Sequence, residues 1–156
     1  PGQVILSGTK GSVDFISQKL KSLGARSIIE LNVSAPFHCS LMKNATVIMQ
    51  DTLSGVVIQK PKIKFINNVN AKFVYNPEEI KKLLVEQVQS RVRWRESIGE
   101  ASRLNLDFII EIGPGRVLTG LNKRMKVDAG YFNISTLEDI NNFLKNYGDD
   151  LWKKML

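Results

Sequence analysis

The strongest constraint on the fold of this chain lies in residues 106–134, "LDFIIEIGPGRVLTGLNKRMKVDAGYFNI". "LDFIIEI" is a near-continuous apolar run of strand length, the pattern of a strand covered on both faces. "GPGR" turns the chain at once, and "VLTGLNKRM" carries helical spacing. A second strand, "YFNIS", follows. Strand, helix and strand in succession are the pattern of an α/β architecture.

The same alternation runs through the rest of the chain. "QVILSG" and "RSIIELNV" read as strands. Between them Val13, Ile16, Leu20 and Leu23 recur at helical spacing, with Ser12 as N-cap and Gly24 as the stop. A second helix is predicted from Pro36, with Leu41, Ala45, Ile48 and Met49 along one side. "KIKFINNV" reads as a strand. "NPEEIKKLLVEQV" is a helix capped by Asn76, with Pro77 at its first position and Glu79 reaching back. Another helix begins near Trp94, with Ile98, Ala101 and Leu104 inward. The last, "STLEDINNFLKNYG", is capped by Ser135 with Glu138 and stopped by Gly148. The predicted class is α/β with a mainly parallel sheet.

At 156 residues the chain has the size of one domain, without internal repeats or low-complexity tracts. It starts without Met and enters a predicted strand at once, so it is expected to be a piece of something longer. No apolar run approaches bilayer length and no signal-peptide pattern opens the chain, so a membrane role is not expected. A lone cysteine fits a reducing compartment. The net charge of +7 comes from 22 scattered Lys and Arg. Neither an RNP-type aromatic stripe nor zinc-finger spacing accompanies them, so nucleic acid is not an expected partner. The basic surface is either simply solvated or a docking face for something acidic.

Chemistry concentrates in "SAPFHCSLM", residues 34–42, which holds the only histidine and the only cysteine. Adjacent residues supply two ligands at most, too few for zinc, so no metal is expected. In the first turn of a helix, positions i and i+1 diverge, which disfavours a Cys-His nucleophile pair. Cys39 reads as packing. His38 is either a packed, hydrogen-bonded histidine or a general base. In the second case its predicted place near a helix N-terminus, where positive charge is disfavoured, suits a neutral ring. "GPGR" is read as tight strand-to-helix packing ahead of anion binding, because Pro114 removes a donor and the spacing is not G-x-G-x-x-G. "RVRWR" is either a basic patch for ligand phosphates or a solvated helix start.

Five stretches carry a resemblance: "PGQVILSG", "NVSAPFHCSLM", "INNVNAK", "VRWRESI" and "EIGPGRVLTGLNKR". In this order and spacing they resemble the C-terminal half of the malonyl-CoA:acyl-carrier-protein transacylases, over about residues 1–135. The resemblance implies an α/β-hydrolase-like core with an inserted ferredoxin-like subdomain. Residues 1–33 would be the second half of that insert and 34–156 the C-terminal part of the core. It also implies a cytoplasmic acyltransferase of type II fatty-acid synthesis that moves malonyl from malonyl-CoA to acyl carrier protein through a serine ester, with no cofactor.

Under this resemblance His38 is the base that takes the serine proton and returns it to the leaving thiol. Arg93 supplies a backbone carbonyl that orients His38. Phe37 narrows the acyl pocket, and Lys123 and Arg124 face the acidic carrier protein. The chain contains no G-H-S-x-G. In the family that serine, the oxyanion-hole donors and the arginine that grips malonyl all belong to the N-terminal half. The chain alone is therefore expected to be inactive. The alternatives are an acyltransferase of other specificity, or a non-catalytic α/β module that binds an acidic protein.

Overall fold

The computed structural model describes residues 3–155, so Pro1 and Gly2 of the "PGQVILSG" stretch lie outside the described residues. The chain divides into two compact units between Ser97 and Ile98.

The first unit begins with a segment outside regular secondary structure and helix α1 (Lys10–Ser22). The cap of α1 is Thr9 rather than Ser12: Thr9 has extended dihedrals, and its Oγ1 accepts the Ser12 N–H at 3.3 Å. Ser12 already lies inside the first turn, where it donates to the cap. Gly24 ends the helix as expected, in the left-handed region at φ 86°. The predicted strands "QVILSG" and "RSIIELNV" belong to no helix and to no ladder among the described residues. A strand requires a neighbour for its N–H and C=O groups, and these segments lie open, with Val4 85% and Ile29 76% exposed.

One turn of 3₁₀ helix (Ser40–Met42) leads into α2 (Lys43–Ser54). The helix predicted from Pro36 therefore starts later. Strands β1 (Phe65–Ile66) and β2 (Phe73–Val74) form an antiparallel hairpin, shorter than "KIKFINNV" suggests and with a partner the sequence reading lacks. Asn67 closes its turn. Its Oδ1 accepts the Val69 and Asn70 N–H groups at 3.0 Å, while Nδ2 donates to Asn70 Oδ1 at 2.6 Å and the Lys72 carbonyl at 3.1 Å. This satisfies a side chain only 5% exposed. Helix α3 (Pro77–Gln87) starts as predicted, with Asn76 Oδ1 accepting the Glu78 N–H at 2.9 Å and the Glu79 N–H at 3.2 Å. Val74, Ile80 and Leu83 form the core here, with Ile58, Phe65, Val69 and Leu84 packed against them. Helix α4 (Trp94–Ser102) begins where Trp94 predicts it and runs through the division.

The second unit contains β3 (Phe108–Ile112), α5 (Val117–Met125), β4 (Gly130–Ile134) and α6 (Leu137–Met155). The strands are parallel, in register from Phe108 opposite Gly130 to Ile112 opposite Ile134. This is the strand–helix–strand unit expected from the apolar run and its turn. Coverage of both faces is not met: Ile112 is 82% exposed. Phe108 packs edge-on against Phe132, Phe143 and Tyr147 at centroid distances of 5.4, 5.9 and 5.2 Å. The cap of α6 lies one residue beyond the predicted pair. Asp139 Oδ2 accepts the Ser135 and Thr136 N–H groups, and Thr136 Oγ1 accepts the Asp139 N–H in return. Gly148 does not stop this helix. A glycine terminates a helix by adopting positive φ, and Gly148 is not among the glycines that do. The whole is a mixed α/β structure, and among the described residues no helix is long and apolar enough to cross a membrane.

Candidate active site

Residues 34–39 form a bent approach to the 3₁₀ turn. The Phe37 N–H donates to the Ala35 carbonyl at 2.9 Å, and Cys39 Sγ donates to the Pro36 carbonyl at 3.1 Å. Cys39 is half-buried, as a packing residue would be. His38 takes φ 63°, in the left-handed region that few non-glycine residues occupy, histidine more often than most. Such a conformation persists when its surroundings hold it.

Two bonds hold His38. Its backbone N–H donates to the Val88 carbonyl at 3.3 Å, and its ring Nδ1 lies 3.0 Å from the Gln87 carbonyl. Gln87 is the last residue of α3 and Val88 its C-cap, so these oxygens are among those left without partners at a helix end. His38 thus sits at the C-terminal end of α3, outside the helix that follows it. That corrects the expected setting, in which His38 lay inside the first turn of a helix begun at Pro36. A carbonyl can only accept, so in the neutral ring Nδ1 carries the proton. Nε2 then holds the lone pair, on an exposed side chain.

The carbonyl expected to orient His38 was that of Arg93. In the structure the ring's bond goes to Gln87, and the Arg93 carbonyl accepts the Ser97 N–H at 2.9 Å in the first turn of α4. The Arg93 N–H donates to the Asn68 carbonyl at 3.0 Å. The acceptor is main-chain as anticipated, but it comes from the helix end that the approach segment packs beside. Sequence reasoning missed Gln87 and also Asn68, whose Nδ2 donates to Gln87 Oε1 at 3.1 Å. Of the "RVRWR" arginines, Arg91 and Arg93 pair with Glu96 at 2.9 and 3.7 Å, the arrangement of a solvated helix start.

Phe37, beside His38, is 44% exposed. Lys123 and Arg124 lie exposed in the last turn of α5, in the other unit. At the opposite end of α5 the "GPGR" turn uses positive φ at Gly113 and Gly115. The anion position there is filled by the chain itself. The Glu111 carboxylate accepts the Leu118 N–H at 3.1 Å, the Thr119 N–H at 2.8 Å and the Thr119 hydroxyl at 2.6 Å. The Thr119 hydroxyl, then its N–H, hold the Glu111 carboxyl below the ordinary carboxylate range, while desolvation opposes them. This supports tight strand-to-helix packing at the turn. Among the described residues no three His, Cys, Asp or Glu side chains are grouped to hold a metal.

No protein-family profile matches the chain. It is 36% identical over 141 residues to the malonyl CoA-acyl carrier protein transacylase of Haemophilus influenzae, covering 90% of this chain and 45% of that protein. Its fold matches the crystal structure of the acyl-carrier-protein S-malonyltransferase from Bartonella henselae with a TM-score of 0.81 at 38% identity, over 88% of this chain and 44% of that one. A malonyl-transacylase solved in complex with its type II PKS acyl-carrier protein matches with a TM-score of 0.82 at 34% identity, over 88% and 44%. The chain therefore spans a little under half the length of the relatives it matches. By sequence and by fold, it is homologous over nine-tenths of its length to part of the malonyl CoA-acyl carrier protein transacylases.

Proposed function

We propose that this chain is the C-terminal portion of a malonyl CoA-acyl carrier protein transacylase and that His38 is its general base. The reaction is a thioester exchange. A serine hydroxyl attacks the malonyl-CoA carbonyl, the thiolate of CoA leaves, and the resulting ester passes malonyl to the thiol of acyl carrier protein. The single observation that carries the reading is the His38 ring. With Nδ1 committed to the Gln87 carbonyl at 3.0 Å, Nε2 is the nitrogen left to take a proton from serine and return it to the leaving thiolate. The serine belongs to sequence outside these 156 residues, which contain no G-H-S-x-G. Gln87 replaces Arg93 as the orienting acceptor in this scheme.

Phe37, exposed beside the base, is suited to line the acyl pocket. Lys123 and Arg124 are suited to meet an acidic carrier protein. The apolar segments around residues 3–8 and 26–33, which join no ladder among the described residues, fit strands whose neighbours lie in the rest of such a protein. In this reading residues 1–33 belong to a ferredoxin-like insert and 34–156 to an α/β-hydrolase-like core, in a cytoplasmic enzyme.

The test uses a transacylase that contains this chain and carries His38→Asn. Asparagine tolerates the left-handed backbone, so the fold is expected to survive. Malonyl transfer should fall by roughly 10²–10⁴. Unchanged turnover would remove His38 from the chemistry. The 156-residue chain alone, incubated with malonyl-CoA, should show no malonyl adduct by intact mass.

A further inference from the structure

We infer that Asn68 is a positioning residue for His38, acting through Gln87; this rests on the reading of His38 as the base. Asn68 follows β1 and lies in the turn that Asn67 closes. It makes two bonds in two directions. Its carbonyl accepts the Arg93 N–H at 3.0 Å, just ahead of α4, and its Nδ2 donates to Gln87 Oε1 at 3.1 Å. Gln87 in turn offers its main-chain oxygen to His38 Nδ1 at 3.0 Å. A helix end without tertiary ties frays. Here the Gln87 side chain is tied to the hairpin turn, which fixes the residue whose carbonyl selects the ring tautomer.

His38 is the only histidine in the chain, so its ring nitrogens give unambiguous NMR signals. The first measurement is the imidazole ¹⁵N shifts of the neutral ring in the 156-residue chain. The wild-type chain should show the Nδ1–H form. Asn68→Ala and Gln87→Met should each shift the population toward Nε2–H, with the backbone amide signals of β3 and β4 unmoved. Gln87→Glu keeps an acceptor for Asn68 Nδ2 and should retain the wild-type pattern, a rescue that a purely structural role would not produce.

The second measurement is turnover of a transacylase containing the chain. Asn68→Ala should lower kcat by about 10- to 10²-fold with KM little changed, as for a misplaced catalytic group. An unchanged tautomer in both loss variants refutes the inference, as does a wild-type ring without the Nδ1–H form. Loss of the pattern in Gln87→Glu also refutes it. If Asn68→Ala fails to fold, Gln87→Met decides. A shifted tautomer with unchanged turnover upholds Asn68 as a positioning residue and overturns the role of His38 as base.

Discussion

Replacing Gly130 with alanine tests the packing of the second unit. Gly130 stands opposite Phe108 in the parallel register. A Cβ added there would lie 2.7 Å from Phe108 Cδ1, 3.1 Å from Phe108 Cε1 and 3.2 Å from Phe132 Cε2. The rings cannot easily move aside. Phe132 is held by Phe143 and Tyr147 at 5.0 and 4.9 Å, and Phe108 meets the same pair. Overpacking of this kind costs about 1–3 kcal/mol. Against it, alanine restricts the unfolded chain and returns about 0.4–1 kcal/mol, since no positive φ is needed at this position. The net expectation is a loss of roughly 0–2.6 kcal/mol. In a chain of this size that lowers the melting temperature by about 2–4 °C per kcal/mol. Near-UV circular dichroism, which reports on the aromatic cluster, follows the transition. The companion Phe108→Leu removes the ring edge, so the double variant should lose less than the sum of the singles. A Gly130→Ala chain that melts higher than wild type would refute the reasoning, because that is how a glycine with room around it behaves.

Two further outcomes follow from capping. Asn76→Ala removes the acceptor for two N–H groups at the start of α3 and should cost about 1 kcal/mol by urea unfolding, with an unchanged midpoint counting against the cap. Glu111 and Asp139 both have carboxyls held below their ordinary range, Asp139 chiefly by the Ser135 N–H and then the Thr136 hydroxyl. A carboxyl lowered in the folded state contributes stability above its unfolded pKa and loses it as pH falls through the folded value. The second unit should therefore weaken progressively below about pH 4. Glu111→Gln should flatten that dependence in thermal melts taken across the acid range, and an identical acid slope in the variant would show that the Thr119 bonds do not carry it.

Much of the second unit was legible in the sequence because its signals are local. An apolar run, a Gly-Pro-Gly turn and a helical stretch identify β3, α5 and β4 within thirty residues, and Asn76-Pro77 identifies the start of α3 in the same way. The setting of His38 was not legible, since it depends on a left-handed residue and on a helix end 49 positions away. Nothing in "SAPFHCSLM" encodes the end of α3. The strands around residues 3–8 and 26–33 failed for another reason: their composition is right, but a strand is a property of pairs, and no pairing involves them among the described residues. Gly148 shows the same limit at one position, since a glycine permits a stop without requiring one.

Both oxygens that hold His38 belong to the main chain. Substitution changes side chains and leaves carbonyls in place, so residues 87 and 88 can drift in identity without deleting either acceptor. A dyad completed by an aspartate can be broken by one codon change; this anchor cannot be broken in that way, only displaced. Selection on the site is thereby moved from the acceptor itself onto whatever keeps it in place, the winding of the last turn of α3 and the tie from the Gln87 side chain to Asn68.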